Sequence, residues 1–162
     1  MKTYVINSID NLKQFENDGK YIVDGNLQVN CSLVIENKNM LSVDGYLSVK
    51  ADNRYIKEYI QVGGSIEVRG CIMVDGFIIA GESIYAGGYI KVGGSIKAGK
   101  YIEVGKYIEV GESIKAGKYI KANGSIEAGE YIEVGWSIKA GGSIEVGEYI
   151  EVGWSIDAGG SI

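Results

Sequence analysis

Residues 95–118 decide the fold, because they read SIKAGK-YIEVGK-YIEVGE-SIKAGK, four consecutive units of six residues. From Ile60 to Ile162, isoleucine recurs at every sixth position, eighteen times in succession. Val or Ala follows two residues later in all seventeen complete units, and Gly comes next in fourteen of them. A period of six does not match the roughly 3.6 residues of a helical turn, and glycine in every unit would weaken a helix. The pattern therefore predicts short strands joined by tight corners.

The position of the apolar residues predicts how these strands assemble. In each unit the Ile and the Val or Ala face one side of the strand, whereas Ser or Tyr and the charged residue face the other. Such strands bury their apolar side by coiling around a common axis. When two units are compared, the residue that follows the Gly slot is identical in 8 of 14 pairs of units eighteen residues apart, but in only 4 of 16 pairs six residues apart. We expect an all-β fold, a three-sided parallel β-helix (β-solenoid) with 18 residues per coil. The repeat is compatible with either a left-handed or a right-handed coil.

The same spacing arranges the slot after the Gly in three corner columns. One column reads Gly64, Glu82, Lys100, Lys118, Trp136 and Trp154; the second reads Gly76, Gly94, Glu112, Glu130 and Glu148; the third is Gly throughout except for Lys106. The Gly slot itself has three exceptions, Arg69, Asp75 and Asn123. Asp and Asn tolerate a left-handed backbone better than most residues, which supports a turn at this slot. Arg69 does not, and indicates a different local turn.

Residues 1–58 differ from the regular part. Residues 1–6 predict a strand, and residues 8–19 predict a short α-helix with Ser8 or Asn7 as its N-cap and Gly19 as its stop. A helix here would cover the open edge of the first coil. Four degenerate strands follow, interrupted by loops near residues 36–40 and 50–57: Leu27-x-Val29, Leu33-x-Ile35, Leu41-x-Val43 and Leu47-x-Val49. We divide the single domain into a strand and capping helix (1–19), irregular first coils (20–58) and the regular solenoid (59–162).

Composition weakens most hypotheses of catalysis. The 162 residues include no His and no Pro, and they carry 16 basic and 21 acidic residues for a net charge of −5. Without His, the Ser-His-Asp and Cys-His catalytic groups and every His-containing zinc site are excluded. A net acidic chain is also unlike an electrostatic nucleic-acid binder. We therefore expect no enzyme activity, no cofactor, no metal and no direct binding of nucleic acid.

Cysteine count and hydropathy bear on location. Cys31 and Cys71 are too few to cross-link a chain of this size, and no secretory signal precedes them, so we interpret them as free thiols. No apolar stretch approaches the length of a membrane span. We expect a cytoplasmic protein that does not associate with membranes.

The repeat resembles that of the hexapeptide-repeat proteins, which form a three-sided left-handed parallel β-helix. The stretch Val62-Gly63-Gly64-Ser65-Ile66-Glu67 matches their frame of aliphatic-Gly-x-x-small-x, and the resemblance covers about two thirds of the chain. Many enzymes of that family are acyltransferases with a catalytic His, which is missing here, so the activity does not carry over. A weaker similarity is to the bactofilins, cytoskeletal proteins with a three-sided right-handed β-helix that polymerise end to end.

The tryptophans mark a candidate binding surface. Trp136 and Trp154 are the only two in the chain and are predicted to occupy one corner in adjacent coils. Exposed Trp and Tyr are enriched at protein-binding hot spots. We predict a partner-binding acidic aromatic patch made of these two residues and six neighbours: Tyr131, Tyr149, Glu130, Glu133, Glu148 and Glu151. The alternative is that the Trp pair only shields the corner.

Two further features have simpler interpretations. The carboxylate ladder Glu109, Glu127 and Glu145 suggests paired acids, a metal site or mimicry of nucleic-acid phosphates, but a solvated surface explains it better because Glu recurs on every face. The repeat stops in mid-coil at Ser161 and Ile162, which would leave a sticky parallel edge. Such an edge fits association of two molecules, trimming of a longer chain, or a frayed last coil protected by its charges.

These observations favour a non-catalytic protein that works through protein–protein interaction. The leading hypothesis is a small inhibitor of the kind carried by phages or mobile elements, which docks its acidic aromatic patch on a larger nucleic-acid-handling protein. The second is a self-assembling structural protein that dimerises or polymerises through Ser161 and Ile162. An acyltransferase-like enzyme is supported only by analogy of fold.

Overall fold

A computed structural model describes residues 1–31, 33–35, 40–45, 47–49, 54–56 and 59–162. Within these residues the chain forms one short helix, Ile9–Phe15, and twenty-five strands. The strands before the regular repeat are β1 (Thr3–Ile6), β2 (Glu16–Asn17), β3 (Lys20–Val23), β4 (Asn26–Val29), β5 (Leu33–Ile35), β6 (Met40–Val43), β7 (Leu47–Val49) and β8 (Arg54–Ile56).

The strands of the regular repeat are three or four residues long and begin at or just before each repeating Ile. They are β9 (Ile60–Val62), β10 (Ile66–Val68), β11 (Ile72–Val74), β12 (Ile78–Ala80), β13 (Ile84–Ala86), β14 (Ile90–Val92), β15 (Ile96–Ala98), β16 (Tyr101–Val104), β17 (Ile108–Val110), β18 (Ile114–Ala116), β19 (Tyr119–Ala122), β20 (Ile126–Ala128), β21 (Tyr131–Val134), β22 (Ser137–Ala140), β23 (Ile144–Val146), β24 (Tyr149–Val152) and β25 (Ser155–Ala158).

These strands form three parallel sheets, the walls of a β-solenoid of about seven coils. The first wall has the order β1-β4-β7-β10-β13-β16-β19-β22-β25, the second β5-β8-β11-β14-β17-β20-β23, and the third β2-β3-β6-β9-β12-β15-β18-β21-β24. The chain visits the first, second and third walls in turn, so that hydrogen-bonded neighbours in the regular repeat lie eighteen residues apart. The predicted three-sided β-helix is confirmed.

Stacked aliphatic side chains fill the space between the walls. Ile84 lies in register with Ile102, and Ile102 with Ile120, as the eighteen-residue spacing predicts. All three side chains are fully buried, and the Val or Ala two residues later is also buried along most of the rod. This continuous core is the main source of stability, because removing apolar surface from water contributes about 25 cal/mol per Å².

The amino-terminal cap differs from the predicted α-helix. Ile9–Phe15 is a 3-10 helix, and it ends four residues before Gly19. The residues after it, Glu16–Asn17, instead pair antiparallel with Lys20–Tyr21, and Asp18 and Gly19 form the tight turn between them with φ of 49° and 71°. Gly19 therefore supplies a left-handed turn residue, as glycine does readily, but in a hairpin and not at the helix end.

The helix nevertheless covers the first coil. It contacts β1 and β3, and its Leu12 is fully buried. Along the chain, the helix follows β1 of the first wall and precedes β2 of the third wall. It thus takes the place of a second-wall strand in the first coil. Ser8 has the extended backbone of an N-cap, and its N–H and hydroxyl both donate to the side-chain oxygen of Asn11 at 3.3 and 3.2 Å.

The irregular first coils are confirmed as strands at all four predicted positions, β4 to β7. The predicted loops fall mostly on residues 36–39, 50–53 and 57–58, which lie outside the described residues. The division of the domain at residues 19 and 58 stays a prediction.

Most corners of the regular repeat carry glycine for a steric reason and not for the expected conformational one. Gly19 and Gly25 are the described glycines with positive φ, so the glycines of the regular corners do not use the left-handed region. A Cβ at Gly99 would instead lie 2.0 Å from the carbonyl oxygen of Gly81, one coil earlier. Close stacking of backbones therefore selects glycine at this slot.

Candidate functional site

The predicted acidic aromatic patch lies on the third wall near the carboxyl end of the rod. Strands β21 and β24 pair in register there, so that Tyr131 neighbours Tyr149 and Glu133 neighbours Glu151. Alternation along β21 directs Ile132 inward, where it is fully buried, and leaves the Tyr and Glu side chains on the outer face. The sequence prediction that these four residues share one surface is confirmed by this register.

The two tyrosines of the patch form a stacked pair. Their ring centroids lie 5.0 Å apart and the rings are parallel to within 3°. Tyr149 remains 48% exposed. Partial burial within the stack raises the pKa of the Tyr149 phenol, with a smaller contribution from Tyr131. The Tyr149 phenol therefore stays neutral at physiological pH.

The tryptophans occupy the corner between the third and first walls. The Trp136 N–H donates to the Lys118 carbonyl at 2.8 Å, and the Trp154 N–H donates to the Trp136 carbonyl at 2.7 Å. This ladder confirms that they stack in one corner column. Trp136 is 56% exposed and Trp154 is 83% exposed. A side chain as exposed as Trp154 shields little of the corner.

Glu130 and Glu148 complete the predicted patch at the opposite edge of the same wall. They stack in the corner between the second and third walls, where the Glu148 N–H donates to the Glu130 carbonyl at 2.7 Å. Both side chains are exposed. The eight predicted residues thus extend from one corner across the third wall to the next.

Two lysines that the sequence analysis did not include also belong to this surface. The Lys115 ammonium lies 2.6 Å from a Glu133 carboxylate oxygen and 5.1 Å from the centre of the Tyr131 ring. The Lys118 ammonium lies 5.6 Å from the Trp136 ring and donates to the Tyr101 hydroxyl at 3.2 Å. Lys115 precedes Glu133 and Lys118 precedes Trp136 by eighteen residues, and this spacing was the signal that could have identified them.

These contacts change the electrostatics of the patch. Glu133, and then the Tyr131 hydroxyl, raise the pKa of Lys115, so the lysine stays charged. We call the coil with Tyr131, Glu133 and Trp136 the lower coil of the patch, and the coil with Tyr149, Glu151 and Trp154 the upper coil. In the lower coil the charge of Glu133 is neutralised by Lys115. Among the ion pairs of the described residues, none involves Glu130, Glu148 or Glu151, so the negative charge is concentrated in the upper coil and at the corner.

Ion pairs elsewhere on the rod follow the same spacing. Each joins residues eighteen apart on adjacent coils: Lys91–Glu109, Lys100–Glu82, Lys121–Glu103 and Lys139–Asp157. Exposed pairs of this kind contribute about 0–1 kcal/mol each. In the predicted carboxylate ladder Glu109 therefore has a cation, whereas Glu127 and Glu145 stack beyond it on the second wall without one among the described residues.

A cleft of about 770 Å³ lies at the other end of the rod. Its floor is formed where the corner column has no side chains, at Gly45, Gly63 and Gly64, and its sides include Glu67 and Tyr85. It contains none of the predicted site residues. Sequence analysis missed it because its sides combine the regular repeat with Met1 and the irregular first coils.

The remaining candidates show no assembled chemistry. Cys31 and Cys71 are free thiols, as predicted. Cys71 adjoins Tyr89, whose pKa is raised by burial and secondarily by this thiol. In the part of the chain that the structure describes, no three Cys, Asp or Glu side chains are arranged to hold a metal ion. The described residues also contain no helix with the length and apolarity needed to cross a bilayer.

The predicted self-association edge lies on the last coil. The Ser161 carbonyl accepts the Ile144 N–H at 2.9 Å, and the Ser161 hydroxyl donates to that of Ser143 at 3.3 Å. Ile162 is 69% exposed and Ile156, in an inner column, is 37% exposed. Apolar side chains that are buried in earlier coils are thus accessible here.

Comparisons with models of protein families, with curated proteins and with solved structures give no match to this chain.

Proposed function

We propose that the chain is a non-catalytic binding protein whose acidic aromatic patch docks on a partner protein. The observation that carries the proposal is the exposure of Trp154, beside Trp136 and the Tyr131–Tyr149 stack, on a rigid wall. Rings that are already ordered lose little conformational entropy on binding, and Trp and Tyr are the residues most enriched at hot spots.

The charge of the patch supports a basic partner surface. Glu130, Glu148 and Glu151 line the aromatic groups without an ion pair in the described structure. Complementary charge steers association and disfavours acidic partners. A protein that handles nucleic acid presents such a basic surface, and an acidic rod bound there would compete with the nucleic acid. We therefore propose an inhibitor that acts by occupying this surface.

Affinity capture with two double variants tests the docking proposal. Trp136→Ser with Trp154→Ser removes the exposed rings from the patch. Tyr89→Ser with Tyr107→Ser is the control, because it removes a stacked pair from the second wall and places there the residue that this column already has at Ser125. We expect a protein retained by the wild type and by the tyrosine control to be lost from the tryptophan variant.

The opposite pattern contradicts the proposal. If every captured protein is retained equally by the tryptophan variant, the patch is not the docking surface. Circular dichroism of both variants establishes that the solenoid is intact, since neither substitution touches an inner column.

Self-association through the last coil, which carries Ile156 and Ile162, is the second candidate. Two copies that meet through the last coil would cover these side chains and pair their strand edges. Light scattering over a range of concentrations tests this candidate. A molecular mass that rises with concentration in the wild type, but stays constant in Ile156→Lys, would support it. A constant monomer mass in the wild type would contradict it.

A further inference from the structure

The lower coil of the acidic aromatic patch already binds two cationic side chains. Lys115 lies over the Tyr131 ring and pairs with Glu133, and Lys118 lies between the Tyr101 ring, at 5.2 Å, and the Trp136 ring, at 5.6 Å. A ring face and a carboxylate together are a common receptor for an ammonium group, because both offer negative potential to the cation. The protein therefore contains an internal example of lysine recognition.

The upper coil repeats this receptor. Tyr149 and Glu151 stand in register with Tyr131 and Glu133, and Trp154 follows Trp136 in the corner ladder. The residues eighteen positions before Glu151 and Trp154 are Glu133 and Trp136, where the lower receptor has Lys115 and Lys118. Within the described structure, neither an ion pair of Glu151 nor a cation over the ring of Tyr149 or Trp154 is present. Within the described structure, the second receptor therefore has the same parts and takes no lysine from the coil before it.

The geometry points to Tyr149, Glu151 and Trp154 as a binding site for a pair of basic side chains from a partner protein. This inference rests on the proposed function and specifies the partner segment. The example in the lower coil comes from Lys115-Ala116-Gly117-Lys118, so the segment that fits carries Lys or Arg at two positions three residues apart. One cation pairs with Glu151 over the Tyr149 ring and the other lies against Trp154.

The chemistry of the site selects basic side chains over other ligands. Glu148 adds a second carboxylate directly before Tyr149 and, among the described ion pairs, is not neutralised. An anion such as a nucleic-acid phosphate would be repelled by both carboxylates. A purely apolar segment would cover Trp154 but would leave Glu151 desolvated without a partner, which is unfavourable. Arginine fits as well as lysine, because its planar guanidinium also stacks on aromatic rings.

A synthetic peptide with the sequence of residues 113–118, Ser-Ile-Lys-Ala-Gly-Lys, is the probe. Its control is Ser-Ile-Gln-Ala-Gly-Gln, which keeps the length and the Ile but removes both charges. Because the chain has only two tryptophans and both lie in the patch, intrinsic tryptophan fluorescence reports binding there. We expect a saturable change with a Kd on the order of 1 mM for the lysine peptide, the strength of a few exposed contacts, and at least tenfold weaker binding of the glutamine peptide.

Two variants with the same change of charge locate the site. Glu151→Lys reverses the charge inside the receptor, whereas Glu145→Lys reverses it on the second wall. Each residue stands between the Ile and the Val of its strand and neighbours a Glu one coil earlier, Glu133 or Glu127. Other coils carry Lys at the same slots, Lys115 and Lys91, so both variants are compatible with the fold. We expect Glu151→Lys to weaken binding of the lysine peptide about tenfold and Glu145→Lys less than threefold, since only the first loses a direct contact.

Three results would overturn the inference: no saturable change with the lysine peptide up to about ten times the expected Kd, equal binding of both peptides, or equal losses in the two variants. None of them bears on the capture experiment. A partner lost from the tryptophan variant alongside a failed peptide experiment would leave the docking proposal standing and remove only the basic-pair specificity.

Discussion

Replacing Gly99 by Ala tests why glycine recurs at the corners of this solenoid. A Cβ built at Gly99 lies 2.0 Å from the carbonyl oxygen of Gly81 and 2.9 Å from its carbonyl carbon. Ordinary contacts begin near 3.4 Å, so the two corners must separate by more than an ångström or slide past each other. The atoms in the way belong to the backbone, and the corner hydrogen bonds from Gly99 to Ala80 at 3.0 Å and from Lys100 to Glu82 at 2.7 Å would stretch with them.

The size of the effect follows from two opposing terms. Forcing extra atoms into a packed region costs about 1–3 kcal/mol. Replacing Gly by Ala also restricts the unfolded chain, which returns about 0.4–1 kcal/mol. We expect Gly99→Ala to lower the free energy of unfolding by about 1–2 kcal/mol, which lowers Tm by roughly 2–8 °C for a domain of this size.

Urea and thermal unfolding followed by far-ultraviolet circular dichroism measure this loss. Gly124→Ala is the milder comparison, because its Cβ would lie 2.9 Å from the Lys106 carbonyl oxygen in a corner column that already contains a lysine, and we expect it to lose less stability than Gly99→Ala. Gly99→Asn separates the two explanations of the glycine. If a left-handed backbone were the reason, Asn would be tolerated much better than Ala. Equal stability of wild type and Gly99→Ala, or a large advantage of Asn over Ala, would refute the steric argument.

Two further predictions concern the core and one ion pair. Ile102 lies in the middle of a fully buried column, so Ile102→Ala should leave a cavity and lower the free energy of unfolding in urea by about 2–5 kcal/mol. Glu67→Ala, on the outer face of the same wall, should change this free energy by less than about 0.5 kcal/mol. The Lys100 ammonium holds the pKa of Glu82 below its ordinary value, so a carboxyl titration by NMR should give a low midpoint that rises in Lys100→Gln. Because the folded-state pKa is the lower one, any stabilisation from this pair is present above the unfolded-state pKa and is lost as the pH falls through the folded-state value; an unchanged midpoint in the variant would contradict this.

The architecture could be predicted from the sequence because one period governs every coil. The eighteen-residue spacing, derived from the variable corner slot, gives the register of Ile84, Ile102 and Ile120 that the structure shows. Inner columns tolerate only branched aliphatic or small side chains, so the residue types at these positions indicate directly which positions are buried. The same register correctly brought Tyr131 and Tyr149, and Trp136 and Trp154, into adjacent coils.

What the sequence analysis missed depends on contacts that the period does not specify by itself. A helical stripe of Ile9, Leu12 and Phe15 fits a 3-10 helix as well as an α-helix over so short a segment, and the competing hairpin at Asp18 and Gly19 ended it early. The lysines of the patch were overlooked because charges were summed by region instead of paired across coils. Glycine was assigned a conformational role because steric conflict between corners becomes visible only when two coils are stacked.

The solenoid separates the residues that hold the fold from those that determine recognition. A single corner column contains Gly64, Glu82, Lys100, Lys118 and Trp136 in successive positions, while the inner residues beside them scarcely change. Outer slots can therefore exchange Lys for Trp or Glu without disturbing the core, and adjacent coils can carry two copies of one receptor. In the proposed site, Glu133 is the occupied copy and Glu151 is the accessible one. Because the outer columns vary independently of the core, variants of the outer face should match the wild type in stability, and a loss of binding in them would report on the proposed surface.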